Sequence, residues 1–130
     1  MSQTDKQNIG KIGENEAEKF LKRQFYRIIE RNYWKKWGEI DIVADKDEII
    51  HFIEVKTVSR EIVPEEESDN YSPEDNIHPW KRKRLSRVIE TYLLDRRIDE
   101  NRDWQVDALA VYLNGEGKVL KVDHLEDIIL

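Results

Sequence analysis

The sequence predicts an α/β fold in which a mixed central sheet is flanked by helices, in the order αβββαββ. Three observations carry that expectation: two segments repeat apolar residues at helical spacing, five runs are rich in Ile, Val, Tyr and Phe, and short polar turns join several of those runs. At 130 residues the whole chain, 1–130, reads as one domain. Hydrophobic and charged residues each make up 38% of it, so the core has to be compact.

The first helix is expected from about Gln7 to Phe25, because Ile9, Ile12, Ala17, Phe20 and Leu21 fall on one side of a 3.6-residue repeat. Glu14 sits at the edge of that stripe. Three strands follow, at about Tyr26 to Trp34, Glu39 to Ala44 and Ile49 to Val58. Between the last two, Asp45-Lys46-Asp47-Glu48 reads as a hairpin turn. If it centres between Asp47 and Glu48, residues whose numbers sum to 95 face one another, and Asp41 stands opposite Glu54. Glu54 and Lys56 then share a face with Asp41, while Ile40, Ile42, Ile53 and Val55 take the other. Glu39 falls on the Asp41 face and is expected to be solvated.

Residues 60–77 form an acidic stretch without periodicity, read as a mobile loop. A second helix is expected from about Pro79 to Arg97, with proline in its first turn and Leu85, Val88, Ile89, Tyr92 and Leu93 as its apolar stripe. WQVDALAVYL and KVLKVDHL complete the fold as two strands joined through Asn114-Gly115-Glu116-Gly117.

The chain has no cysteine, which excludes disulfides, thiolate metal sites and a cysteine nucleophile. His51, His78 and His124 are scattered without metal-ligand spacing. The N-terminus lacks the apolar core of a signal peptide, and no run is long enough to cross a bilayer, so a cytoplasmic protein without a membrane partner is expected. The net charge of −6 would disfavour a nucleic-acid partner if it were evenly spread. It is not: residues 60–77 hold seven acids against Arg60 alone, and the remaining chain is neutral.

Charges inside two otherwise apolar strands need a reason, because burying them uncompensated is costly. Asp41, Glu54 and Lys56 would suit Mg²⁺ or Mn²⁺ at a phosphodiester, since hard oxygen ligands fit such an ion and leave positions for water and phosphate. Lys56 could position or deprotonate the attacking water, or stabilise the phosphate as a point charge. The same residues also fit a plain surface triad on the solvated face of a hairpin, and residue spacing leaves both readings open.

Gly13-Glu14-Asn15-Glu16-Ala17, Glu30-Arg31-Asn32-Tyr33, Gly38-Glu39-Ile40-Asp41, Phe52-Ile53-Glu54-Val55-Lys56-Thr57, the basic helix start and Trp104-Gln105-Val106-Asp107 together resemble, in order, the motifs of the YraN-like family of uncharacterised bacterial proteins. The resemblance implies a restriction-endonuclease-like, PD-(D/E)xK fold similar to archaeal Holliday-junction resolvases. It implies Asp41, Glu54 and Lys56 as the metal and water site, with Glu14 as the helix-borne acid that completes it. The metal ligands would be Asp41, Glu54 and Glu14. Two positions depart from the family pattern: Val58 and Ser59 precede Arg60, where an arginine usually follows sooner, and Gln105-Val106-Asp107 replaces Arg-Phe-Asp. Asp107 reads as a structural partner.

A polyanion needs a basic surface. Lys81, Arg82, Lys83, Arg84 and Arg87 cluster at the start of the second helix, and Lys35 and Lys36 lie among Tyr33, Trp34 and Trp37. Trp34 and Trp37 are expected to pack at the core or a strand end. The function so predicted is Mg²⁺-dependent hydrolysis of phosphodiester bonds in DNA, including branched or structured DNA. The alternatives are a non-catalytic nucleic-acid-binding or adaptor module on the same fold, and a protein-binding domain using the acidic loop. A homodimer is an expectation carried by the fold alone, since no self-complementary patch is legible.

Overall fold

A computed structural model describes residues 3–59 and 79–128. The expected acidic loop at 60–77, and Arg60 with it, lies outside those residues. The elements run α1 (Gln3–Arg23), β1 (Arg27–Lys35), β2 (Gly38–Lys46), β3 (Ile49–Ser59), α2 (Pro79–Asp95), β4 (Trp104–Leu113) and β5 (Val119–Leu125). The fold is therefore α/β in the predicted αβββαββ order. Its five strands lie in sequence order across one sheet, with β3 and β4 parallel and the other neighbours antiparallel. The parallel pair needs a crossover, and α2 supplies its helix.

The sheet separates two cores. On one face Ala17 and Leu21 of α1, both fully buried, pack on Ile42, Ala44, Ile53, Leu109 and Val111. Fully burying a leucine contributes about 1.5–3 kcal/mol. On the other face Leu85, Val88, Ile89 and Tyr92 of α2 cover Tyr33, Ile40, Val43, Ile50 and Phe52.

α1 starts four residues before the expected Gln7 and stops two before Phe25. It stops because Phe25 takes a left-handed φ of 69°, which lets the Tyr26 N–H reach back to the Leu21 carbonyl at 2.9 Å. The β2–β3 hairpin turns on Asp47 and Glu48, whose φ values of 52° and 67° give the twist that a two-residue loop requires. The predicted register follows, from Lys46↔Ile49 to Ile42↔Ile53.

One facing assignment is corrected. Ile42, Ile53 and Val55 share the α1 side as expected, but Ile40 enters the core under α2. Ile40 and Ile42 are two apart, so strict alternation fails between them. The same break occurs in β1, where Arg31 reaches Asn15 of α1 at 2.8 Å while Tyr33 donates to Asp95 of α2 at 2.8 Å. Asn32, between them and opposite Asp41 in the register, has φ 53°. Both strands thus change faces at Asn32 and Asp41.

Candidate functional site

The β2–β3 ladder ends at Ile42↔Ile53, one residue before Asp41 would meet Glu54. There the Asp41 Oδ2 accepts the Val55 backbone N–H at 2.8 Å, so a side chain takes over the bond that a continuing strand would have made. Val55 packs toward α1, which by alternation turns Glu54 and Lys56 to the other face. The fork opens the sheet, and acids from both sides sense one another across it.

Their electrostatics follow from that crowding. Burial, and next the Glu54 charge, push the Asp41 carboxyl up to about 8, with Glu14 and Glu39 adding to the shift and the Val55 N–H opposing it. Glu14 is also raised, first by burial and then by Glu39 and Glu54, against the lowering effect of Arg31. With its amide nitrogen turned toward the acids, Asn32 donates to Glu14 Oε1 at 2.8 Å and to Glu39 Oε1 at 3.0 Å. Glu39 is thus bonded rather than merely solvated. Lys56 is exposed and makes no ion pair among the described residues.

Glu14 is held near the fork by a glycine. A Cβ on Gly13 would overlap the Thr57 side chain, so only glycine lets α1 lie this close to β3 beside Lys56. Gly38 does the same for α2: a Cβ there would stand 3.1 Å from the Arg84 carbonyl and 3.3 Å from Val88.

That approach joins the two expected basic groups. The Arg84 Nε donates to the Trp37 carbonyl at 3.4 Å, and the Arg87 guanidinium lies 4.8 Å from the Trp37 ring centre. Trp37 also donates to Thr91 at 3.2 Å, so it packs at a strand end as expected. Trp34 does not: it is 64% exposed, on the edge strand β1. Lys83 and Lys36 are exposed and Arg82 is half-buried. Lys35 is drawn away to Asp95 at 3.7 Å, and the Lys81 side chain lies outside the described residues.

A His/Asp/Glu group able to hold a metal ion is present, but it is made by other residues. His51, Asp107 and Glu126 each offer a ligand atom, all within 4.8 Å of one another. Among the described residues, Glu14, Asp41 and Glu54 do not reach that mutual spacing. His78 lies outside the described residues, but the other two histidines are not scattered in space: His51 and His124 both bond Asp107, at 2.7 and 2.9 Å. Sequence spacing missed this because parallel pairing puts Ile53 beside Asp107, and the antiparallel β5 returns His124 to Leu109. The available signal was an aspartate inside the apolar run VDALAVYL, which required buried partners. Asp107 is indeed a structural partner, fully buried. No helix among the described residues is long and apolar enough to cross a membrane.

Comparison with known proteins places these motifs in a family. The model of the uncharacterised protein family UPF0102 matches residues 13–111, from the Gly13–Thr57 contact to β4. A UPF0102 protein of Campylobacter hominis is 38% identical over 122 residues, covering 94% of each chain. One from Flavobacterium johnsoniae is 36% identical over 121 residues, covering 92% of this chain and 91% of its own. One from Campylobacter jejuni subsp. doylei is 38% identical over 102 residues, 78% of this chain and 81% of its own. The chain therefore belongs to the uncharacterised protein family UPF0102.

Proposed function

We propose that the β2–β3 fork is the active site of a Mg²⁺- or Mn²⁺-dependent nuclease acting on DNA, with branched or structured DNA as the favoured substrate. The observation that carries this reading is the Asp41 carboxyl, which accepts the Val55 N–H at the end of the ladder and is pushed up to about 8 first by burial and then by Glu54, with Glu14 and Glu39 adding. Such a cluster of acids is costly without a cation, and the chemistry of the donor set, carboxylate oxygens from Asp41, Glu54 and Glu14, fits a hard one that keeps water and phosphate oxygens as its other ligands. When bound, a divalent cation supplies charge neutralisation at the phosphate and a more acidic water.

The chain's own residues would then divide the work. Asp41 and Glu54 orient the ion at the open end of the ladder, Asn32 steadies Glu14 beside it, and Lys56 holds the attacking water or the phosphate oxygens from its exposed position on β3. Gly38, three residues before Asp41 and about 10 Å along the strand, seats the α2 start, so Arg82, Lys83, Arg84 and Arg87 with Lys36 can carry the flanking phosphates. Purified protein with Mg²⁺ is tested on branched, single-stranded and duplex DNA beside Asp41→Asn and Lys56→Ala. Cleavage by wild type alone supports the reading.

The second reading is a non-catalytic nucleic-acid-binding module. It is favoured by the spacing of Glu14, Asp41 and Glu54, which do not form a close ligand set. DNA binding without cleavage, unaffected by Asp41→Asn, would select it.

A further inference from the structure

On β4, paired with Ile53 of β3, Asp107 gathers four donors. Its Oδ2 faces His51 Nδ1 at 2.7 Å and His124 Nε2 at 2.9 Å, and its Oδ1 accepts from Gln105 Nε2 and the Asp127 backbone N–H, both at 2.9 Å. An ionised carboxylate only accepts, so the ring nitrogens facing it carry the hydrogens. The other nitrogen of each neutral ring then keeps its lone pair. A carboxylate behind an imidazole in this way fixes the tautomer and raises the basicity of the outward nitrogen, the arrangement that supports histidine as a metal ligand.

His51 lines a cavity of about 160 Å³ together with Tyr26, Lys46, Asp47, Gln105 and Glu126. Glu126 is exposed at its rim, and its Oε1 accepts the Tyr26 hydroxyl at 3.2 Å. The Tyr26 ring stands edge-on to His51, 4.9 Å between centres.

We propose that this cavity is a second divalent-cation site, with His51 and Glu126 as ligands, water completing the coordination, and Asp107 as the positioning residue that orients His51 and supplies nearby negative charge. An imidazole nitrogen beside carboxylates favours Zn²⁺ or Co²⁺ over Mg²⁺, which separates its chemistry from the all-oxygen set at the fork. The sites are also separate in space, since His51 and Glu54 are three residues apart on one strand, about 10 Å. An ion here would tie β3 to the segment that follows β5.

Zn²⁺ titration by calorimetry, with Co²⁺ absorption to report a nitrogen ligand, tests the site on the full chain. With excess Mg²⁺ present to occupy the fork, wild type is expected to take one Zn²⁺ at this cavity, and Glu126→Gln and His51→Gln to lose at least about tenfold in affinity for it. Glu126 is exposed, so its substitution leaves the core intact even where replacement of buried His51 unfolds the chain. No saturable binding, or equal Zn²⁺ affinity in Glu126→Gln and wild type, overturns the proposal. The result is independent of the nuclease reading, which Asp41→Asn tests with Mg²⁺ and DNA.

Discussion

Asp41 and Val55 are joined across the end of the β2–β3 ladder by a carboxylate accepting a backbone N–H at 2.8 Å. The side chain replaces a strand bond at the place where alternation breaks on β1 and β2 together. An acid so placed belongs to the sheet's hydrogen bonding and to the charge cluster at once.

That double role sets a pH dependence. Unfolded, Asp41 ionises near pH 4; folded, burial and Glu54 hold its proton up to about pH 8. Between those values the folded state binds the extra proton, so its contribution is complete below about pH 4 and is lost as pH rises toward 8. Asp41→Asn, measured by urea unfolding with chelator present, should be more stable than wild type at pH 8 by about 1–3 kcal/mol, with the advantage gone at pH 4. The same advantage at both pH values would contradict this account.

Asp107 has the opposite sign. Burial favours its protonated form, but hydrogen bonds from His124, His51, Asp127 and Gln105 outweigh that and hold it below the usual carboxylate range. Its contribution is present above about pH 4 and is lost as pH falls below that. Asp107→Asn puts an amide donor among four donors and should cost about 3–5 kcal/mol at pH 7, with the loss shrinking in acid. Thermal melts from pH 3 to 7 check it; a loss that stays constant with pH would oppose it.

Gly13 is the test of how α1 is seated. Alanine there gains about 1 kcal/mol of helix propensity yet meets the Thr57 side chain. A net loss of about 1–3 kcal/mol is expected, with much of it recovered by Thr57→Ala in the same chain. Additive losses in the double variant would show that the two residues do not meet.

The basic patch predicts a salt slope. If Arg84 and Arg87 each neutralise a phosphate, Arg84→Ala and Arg87→Ala should each reduce the slope of log affinity against log salt by about 0.9 on duplex DNA. Unchanged slopes would remove the α2 start from the interface.

The element order and hairpin register were legible because apolar periodicity and a two-residue polar turn are local signals. Extending that turn's register set Asp41 opposite Glu54, but the ladder stops at Ile42↔Ile53 and Asp41 accepts the Val55 N–H instead. The switch of Ile40 to the α2 side was not legible, since it arises from Asn32 in a left-handed conformation on the neighbouring strand. Nor was the gathering of His51 and His124 on Asp107, which depends on a parallel crossover and a returning edge strand far apart in sequence. Trp34 misled because its place on edge strand β1 leaves it exposed where an inner strand would have covered it.

The central claim is that the acids at the fork serve a divalent cation on DNA. It is tested most directly by cleavage of branched DNA in Mg²⁺ by wild type, Asp41→Asn and Lys56→Ala under one protocol. The account predicts metal-dependent cleavage by wild type that falls at least about a hundredfold in each variant. Absence of cleavage by wild type, or equal cleavage by all three, would contradict it.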